Sequence, residues 1–274
     1  MNNLTFLNSF NYLNEIVYGK KHLKKLSFNK SKYDFVSVVK SLFNCDLNNI
    51  HDWSSIKYDF FTPDMLGKDT HTVFHKAFYN KIDSGWPELT ELYEKFAKEV
   101  VLPYLGLNEA LLQIYPNFRV QLPDNVAVVI EHYDSDKNHK HPIGEINFIV
   151  ALTDMFETNT IWTEKHPRFR DFVPLTQDAG DCTSFGGNTH THFNKINKTG
   201  VSRVSFDFRI FPLNYYNPDT NLHSVTTNKK YVEGGYYKRI KHELPLYKAV
   251  DIWDKEKEKF NSVMIKHNVA SAWG

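Results

Sequence analysis

This chain of 274 residues has few cysteines, almost no net charge and no long apolar run. Its two cysteines, Cys45 and Cys182, exclude a disulfide framework and lack metal-type spacing, so they fit a reducing compartment. Lys and Arg (33) nearly balance Asp and Glu (32), so no general field attracts nucleic acid or an anionic membrane. No apolar run approaches the ~20 residues that span a bilayer, and no signal peptide is recognisable at the N-terminus. We therefore expect a cytoplasmic protein that binds neither nucleic acid nor membrane.

The composition that is present indicates a folded chain with a substantial core. Hydrophobic residues make up 41% and aromatic residues 15%, and neither a repeat nor a low-complexity linker interrupts the sequence. We expect a single domain over residues 1–274. Within it, residues 1–112 are predicted to be mainly helical, 113–212 to form a β core, and 213–274 to be a C-terminal extension.

Apolar periodicity predicts helices before and after the β core. One amphipathic segment covers Phe35 to Phe43, and another covers Leu89 to Val101 with Pro87 near its first turn. The tail is predicted to contain a third helix from about Leu246 to His267.

The central region has the alternation of β-strands. In Val201–Phe211, Arg203, Ser205, Asp207 and Arg209 alternate with aliphatic and aromatic residues, as expected where one face lines a polar cavity and the other packs on helices. Further strands are predicted at Val126–Ile130 continuing to Asp134, Glu145–Leu152, Thr160–Thr163, Phe172–Pro174 and Cys182–Phe185. The predicted fold class is α+β with a mainly β core: a double-stranded β-helix (jelly roll, cupin-like) buttressed by N-terminal and C-terminal helices.

A candidate metal site comes from His132, Asp134 and His192. The first two are separated by one residue and so share a face of a strand, and His192 lies near the start of a later strand. Two imidazoles and one carboxylate are the facial set of non-haem Fe(II) that leaves positions open for O₂. Each residue alone is more often a surface or turn residue; together they predict a metal site. His190 is the alternative distal ligand, but the spacing to Arg203 favours His192.

Arg203 and Ser205 are the predicted site for the far carboxylate of a 2-oxo acid. They share the polar face of the last core strand, and a guanidinium in a half-buried cavity needs an anion. The alternatives are a structural salt bridge from Arg203, for example to Asp207, and an equivalent role for Arg209. Weaker candidates for the co-substrate site or the cavity wall are Asn147, Gln113, Arg119 and Gln121.

Several stretches together resemble one enzyme family. They are Gln113–Val120, Leu122–Asn125, His132–Asp136, Pro142–Phe148, Asn159–Glu164, Asn197–Arg209 and Gly234–Tyr237. This set is similar to the StrG-like Fe(II)/2-oxoglutarate-dependent oxygenases, which are related to phytanoyl-CoA dioxygenase-like enzymes.

The resemblance implies Fe(II), 2-oxoglutarate and O₂ as cofactor and co-substrates. It implies iron ligands at His132, Asp134 and His192, and a 2-oxoglutarate carboxylate site at Arg203 with Ser205. Halogenating relatives lack the carboxylate ligand, so Asp134 favours hydroxylation, here of a polar small metabolite such as a sugar or aminocyclitol. Desaturation, epimerisation and ring closure stay open, as do a homodimer and the roles of His139, His141 and His190. The competing functions are a cupin-type metal enzyme without 2-oxoglutarate and a non-catalytic small-molecule-binding protein.

Overall fold

The computed structural model describes residues 23–53, 72–125, 131–225, 227–242, 247–254 and 259–266. The helices of this described part all precede the main strands. They are α1 (Phe35–Phe43), a 3₁₀ helix (Leu47–Asp52), α2 (Val73–Asp83), α3 (Pro87–Phe96), a π-helical turn (Ala97–Val101) and α4 (Leu102–Leu105). The two amphipathic segments predicted from periodicity are therefore helices, as expected.

Local side-chain chemistry sets the ends of these helices. The Asp34 carboxylate accepts a hydrogen bond from the Ser37 amide at the start of α1, and Asn44 ends that helix in the left-handed conformation. The Thr72 hydroxyl caps α2 in the same way, and Pro87 is the first residue of α3, where a missing N–H costs nothing.

Twelve strands lie in the described residues. They are β1 (Lys24–Lys25), β2 (Glu109–Gln113), β3 (Asn117–Gln121), β4 (Ile146–Ala151), β5 (Ile161–Glu164), β6 (Phe172–Leu175), β7 (Cys182–Phe185), β8 (His192–Asn194), β9 (Arg203–Phe211), β10 (Tyr237–Lys241), β11 (Tyr247–Asp254) and β12 (Lys259–Lys266). The predicted strands at the positions of β4, β5, β6, β7 and β9 are confirmed within one or two residues at each end.

The strands form antiparallel sheets in a mixed α/β chain. Seven strands make the large sheet, in the order β1-β7-β4-β9-β2-β10 with β3 also pairing with β9, and β6-β5-β8 make a smaller one. The large sheet extends beyond the predicted limits of the β core, because β2 begins at Glu109 and β10 comes from the segment assigned to the extension. The specific jelly-roll winding stays a prediction.

The central pair β4 and β9 separates the helical core from a polar interior. Phe148 lies opposite Phe208, and the face they share packs against the helices, where the Tyr93 ring meets Phe208 at 5.2 Å between centroids. On the other face, Ile149 belongs to an apolar cluster with Leu175 of the smaller sheet, so the two sheets pack against each other. The predicted two-faced pattern of β9 is thus confirmed.

The predicted C-terminal helix is wrong. Residues Tyr247–Asp254 and Lys259–Lys266 form the antiparallel pair β11 and β12, with Tyr247 opposite Lys266. Both segments are rich in β-branched and aromatic residues, which favour strands, and a Lys- and Glu-rich stretch lies between them in the sequence. Strand propensity and the pairing of the two segments therefore give two antiparallel strands where the sequence predicted a helix.

The predicted strand Val126–Ile130 lies outside the described residues. Among the residues that are described, no helix has the length and apolar character needed to cross a bilayer.

Candidate metal centre and its cavity

His132 and His192 are held next to each other by the main chain. His192 begins β8, and its amide donates to the His132 carbonyl at 2.8 Å, while the His132 amide donates back to the His192 carbonyl at 3.2 Å. Asp134 lies in the turn that follows His132, and its amide donates to the Gly187 carbonyl at 2.9 Å. Asp134 therefore does not continue a strand as predicted, but the turn still brings its side chain to the two imidazoles.

The three side chains present one oxygen and two ring nitrogens to a common point. Oδ1 of Asp134 lies 3.5 Å from Nε2 of His132 and 3.7 Å from Nε2 of His192. The ligand atoms of the three residues all lie within 4.8 Å of one another, and the group is the one metal-type cluster found in the described part of the chain. Separations of this size suit three neighbouring positions around one first-row metal ion.

The electrostatics of His192 and Asp134 match the forms that bind metal. Burial, together with the neighbouring His132, lowers the pKa of His192 to about 4, so its ring is neutral at pH 7 with a lone pair available. Burial raises the pKa of Asp134, but the Arg209 guanidinium together with the neighbouring histidines outweighs burial and holds that pKa well below its usual range. The carboxylate is therefore ionised.

The second oxygen of Asp134 is fully engaged by the protein. Nη2 and Nε of Arg209 donate to Oδ2 at 2.7 and 3.2 Å, and Nδ2 of Asn147 donates to the same oxygen at 2.6 Å. Asn147, predicted as a co-substrate residue, donates its amide to the proposed ligand Asp134 and also lines the cavity. From the sequence, Arg209 is predicted only as an alternative anion site, and no local pattern indicates its contact with Asp134.

Arg209 belongs to a buried network of carboxylates and amides. Its Nη1 donates to Asp207 at 3.2 Å and to Oε1 of Gln113 at 3.3 Å, and its Nε lies 3.8 Å from Glu145. Nε of Arg119 donates to the other oxygen of Asp207 at 2.9 Å. Gln113 and Arg119, two predicted co-substrate residues, thus line the cavity as members of this network.

Arg203 lies in the same cavity, at the other end of the polar face of β9. It is 4% exposed, and it donates to the Asn159 carbonyl at 3.1 Å, to the Ser205 hydroxyl at 2.8 Å and to Oε1 of Gln121 at 3.2 Å. These three acceptors orient the guanidinium. The predicted pair Arg203 and Ser205 is therefore in direct contact.

A cavity of about 430 Å³ connects these groups to the surface. Its inner wall contains the metal-type cluster, Arg203 and Arg209, and its outer wall contains Tyr115, Val225 and Lys229 among others. Tyr115 and Val225 are exposed, which places this wall at the mouth. The volume lies within the range of small-molecule sites.

Two further histidines line the cavity. The ring of His139 stacks on His132 with centroids 4.0 Å apart, and its Nδ1 lies 2.9 Å from Asp136. His141 pairs through Nδ1 with Glu145 at 2.8 Å, and the Tyr237 hydroxyl donates to the other oxygen of Glu145. Both rings therefore reach the space in front of the cluster.

His190 is not a member of the metal-type cluster. Its side chain is fully buried, and its Nδ1 lies 3.1 Å from the Gly186 carbonyl. A Cβ on Gly186 would come within 2.4 Å of that Nδ1, and a Cβ on Gly187 within 2.8 Å of the Asn147 amide. The two glycines therefore allow the turn before β8 to pass close behind the site, and His190 packs against that turn.

Comparison with known proteins identifies a relative. No protein-family model matches the chain. The streptomycin biosynthesis protein StrG of Streptomyces griseus is 32% identical over 151 residues, which cover 55% of this chain and 68% of StrG.

Solved structures of non-haem oxygenases are more distant. The nickel complex of the non-haem monooxygenase ThoJ matches with a TM-score of 0.41 and 14% identity, over 73% of this chain and 77% of ThoJ. CytC3 with Fe(II) and α-ketoglutarate matches with a TM-score of 0.39 and 15% identity, over 75% and 80%. Likeness at this level fixes neither the reaction nor the ligands of this chain. The identity and coverage shared with StrG do establish the family: the chain belongs to the StrG-like Fe(II)/2-oxoglutarate-dependent oxygenases.

Proposed function

We propose that this protein is a non-haem Fe(II)/2-oxoglutarate-dependent dioxygenase that hydroxylates a polar small metabolite, such as a sugar or an aminocyclitol. The observation that carries the proposal is the convergence of two imidazole nitrogens and one carboxylate oxygen in a cavity that also contains a buried arginine. Family membership supports the same chemistry.

The donor set fits iron. His132 and His192 offer Nε2 and Asp134 offers Oδ1, and three ligands on one side leave the other side for co-substrate and O₂. When bound, the iron supplies the oxidation that couples conversion of 2-oxoglutarate to succinate and CO₂ with oxygen insertion into the substrate. The role of the protein is to place the reactants and to limit the access of water.

Arg203 and Ser205 fit the distal carboxylate of 2-oxoglutarate. Arg203 lines the cavity on the polar face of β9, and contacts with Gln121 and Asn159 fix the plane of its guanidinium. A planar guanidinium in a fixed orientation binds a carboxylate through two parallel hydrogen bonds. The Ser205 hydroxyl, 2.8 Å from Nη1, adds a hydrogen-bonding group at the same place.

The outer half of the cavity fits a substrate with several polar groups. His139, His141 and Asn194 offer hydrogen-bonding atoms near the metal-type cluster. At the mouth, the Lys229 ammonium lies 5.3 Å from the centre of the Tyr115 ring, and an exposed aromatic face of this kind suits a sugar or cyclitol ring. Hydrophobic and charged groups are thus mixed along the wall, as a polar ring requires.

Anaerobic addition of Fe(II) and then 2-oxoglutarate tests the proposal. We expect the weak visible absorption band of the Fe(II)–2-oxoglutarate complex in the wild-type protein. His192→Ala should bind no iron, and Arg203→Leu should bind iron but require more 2-oxoglutarate to develop the band. Absence of the band in folded, iron-loaded wild-type protein would refute the use of 2-oxoglutarate. A screen of sugars and aminocyclitols for substrate-dependent succinate formation then tests the substrate class.

A further inference from the structure

The two oxygens of Asp134 have different surroundings. Oδ1 faces the Nε2 atoms of His132 and His192, whereas Oδ2 accepts three hydrogen bonds from side chains of the large sheet. A carboxylate left to itself binds a metal through one oxygen or through both. The surroundings of Oδ2 therefore bear on how Asp134 binds.

The donors to Oδ2 come from directly opposed positions on two strands. Asn147 of β4 and Arg209 of β9 are cross-strand partners, so their side chains leave the same face of the sheet side by side. Both are buried, at 1% and 5% exposure, and both reach the same oxygen. The amide oxygen of Asn147 makes no hydrogen bond within the described residues, so its contact with Asp134 is what orients the amide.

The arginine is itself fixed by groups behind it. Asp207 and Gln113 accept from its Nη1, and Glu145 lies close to its Nε. Glu145 is held in turn by the hydroxyl of Tyr237, in the Gly234–Tyr237 motif that the sequence had singled out. The guanidinium is thus in place independently of any ligand in the cavity.

We infer that Arg209 and Asn147 are positioning residues that make Asp134 a one-oxygen ligand; this inference rests on the proposed function. Their three hydrogen bonds occupy the lone pairs of Oδ2 and aim Oδ1 at the two histidine nitrogens. The carboxylate would therefore offer a bound metal ion one oxygen rather than two.

Binding of Co(II), with its visible absorption, tests the inference without any turnover. Two variants keep the charge of the site but remove hydrogen-bond donors to Oδ2. Asn147→Ala removes the amide, and Arg209→Lys replaces the planar guanidinium by an ammonium that cannot donate through two nitrogens. Each should raise the dissociation constant for Co(II) by roughly 10–100-fold, the usual effect of losing an outer partner of a metal ligand. Each should also change the shape of the Co(II) absorption band.

The matched controls are Asn80→Ala on the exposed side of α2 and Arg239→Lys at the surface, which should leave the dissociation constant and the band unchanged.

Thermal unfolding of every variant separates positioning from general destabilisation, because a merely structural role lowers the melting temperature without moving the band of the metal-loaded protein. If folded Asn147→Ala and Arg209→Lys proteins bind Co(II) with the wild-type constant and band, the inference is wrong. If Arg209→Lys does not fold, the Asn147→Ala result decides. If wild-type protein binds Co(II) no better than His192→Ala does, the proposed function fails instead.

Discussion

Arg203 and Arg209 lie on the same face of the same strand, yet their surroundings differ. Arg203, at the start of β9, donates to a carbonyl, a hydroxyl and an amide oxygen, all of which are neutral. Arg209, near the end, contacts the carboxylates of Asp134 and Asp207. The first set of contacts orients a guanidinium that lines the cavity, and the second joins Arg209 to two buried carboxylates.

The difference arises from what lies across the sheet. Arg203 is opposite Gln121 of β3, and Arg209 is opposite Asn147 of β4, next to the turn that carries Asp134. On the proposed function, the Arg203 end of this strand face would bind the co-substrate anion, and the Arg209 end would position the ligand Asp134. Residue type and strand parity alone do not distinguish these two roles.

The largest effect that separates the two arginines should be on stability. Arg209→Leu leaves the buried Asp134 carboxylate without its cation, so we expect it to lower the free energy of unfolding by about 3–5 kcal/mol. The control is Arg239→Leu, which removes a surface arginine paired with Glu233 and should cost about 1 kcal/mol or less. Urea denaturation of the metal-free proteins measures both values. Equal losses in the two variants would contradict the role of Arg209 as a buried counter-charge.

Arg203→Leu should act mainly on the co-substrate. Loss of charge-assisted hydrogen bonds worth about 1.5–3 kcal/mol should raise the dissociation constant for 2-oxoglutarate by roughly 10–150-fold. Anaerobic titration of the iron-loaded protein, followed at the visible band, measures the constant. An unchanged constant would show that the anion site lies elsewhere.

The contribution of Asp207 to the free energy of unfolding should depend on pH. Burial raises the pKa of Asp207, but Arg119 and Arg209 outweigh it and hold the pKa below its usual value. The carboxylate therefore stabilises the fold above its unfolded-state pKa of about 3.9, and this contribution is lost as the pH falls through the lower folded-state pKa. Asp207→Asn should cost roughly 1–2 kcal/mol at pH 7 and progressively less below about pH 4. Urea midpoints measured from pH 7 to pH 3 test this, and a constant difference across that range would count against it.

The smallest effect is expected for Ser205→Ala. It removes one uncharged hydrogen-bonding group beside Arg203, and a typical hydrogen bond contributes about 0.5–1.5 kcal/mol, so the 2-oxoglutarate dissociation constant should rise by roughly 2–10-fold. Ser41→Ala, on the exposed side of α1, is the matched control. A loss as large as that of Arg203→Leu would mean that the hydroxyl, rather than the guanidinium, dominates the site.

Much of the polar face could be predicted because strand alternation is local. The period of two in Val201–Phe211 is sufficient to place Arg203, Ser205, Asp207 and Arg209 on one face; all four are buried, and the three charged ones line the cavity. The proposed ligands His132, Asp134 and His192 also converge as expected, because the spacing between residue types limits which strands can meet.

The contacts among these residues could not be predicted, because they depend on register between distant strands. That Asn147 lies opposite Arg209 follows from how β4 and β9 pair, and no local pattern encodes that alignment. The erroneous C-terminal helix has a related cause: short apolar segments fit both periods, and the pairing of β11 with β12 decides between them.

The main-chain bridge between His132 and His192 has a consequence for how this scaffold can vary. The chain leaves the metal-type cluster after Asp134 and returns to it at His192. Two backbone hydrogen bonds between His132 and His192 join the ends of this segment. The hairpin loop 165–171, between β5 and β6, belongs to this segment, and its Phe169 is exposed to solvent. Insertions or grafted loops there add length without separating the two imidazoles, since the entropy of closing a loop grows only slowly with its length. This hairpin loop, and not the strands between the histidines, is therefore where the scaffold can be diversified or re-engineered at little cost to its centre.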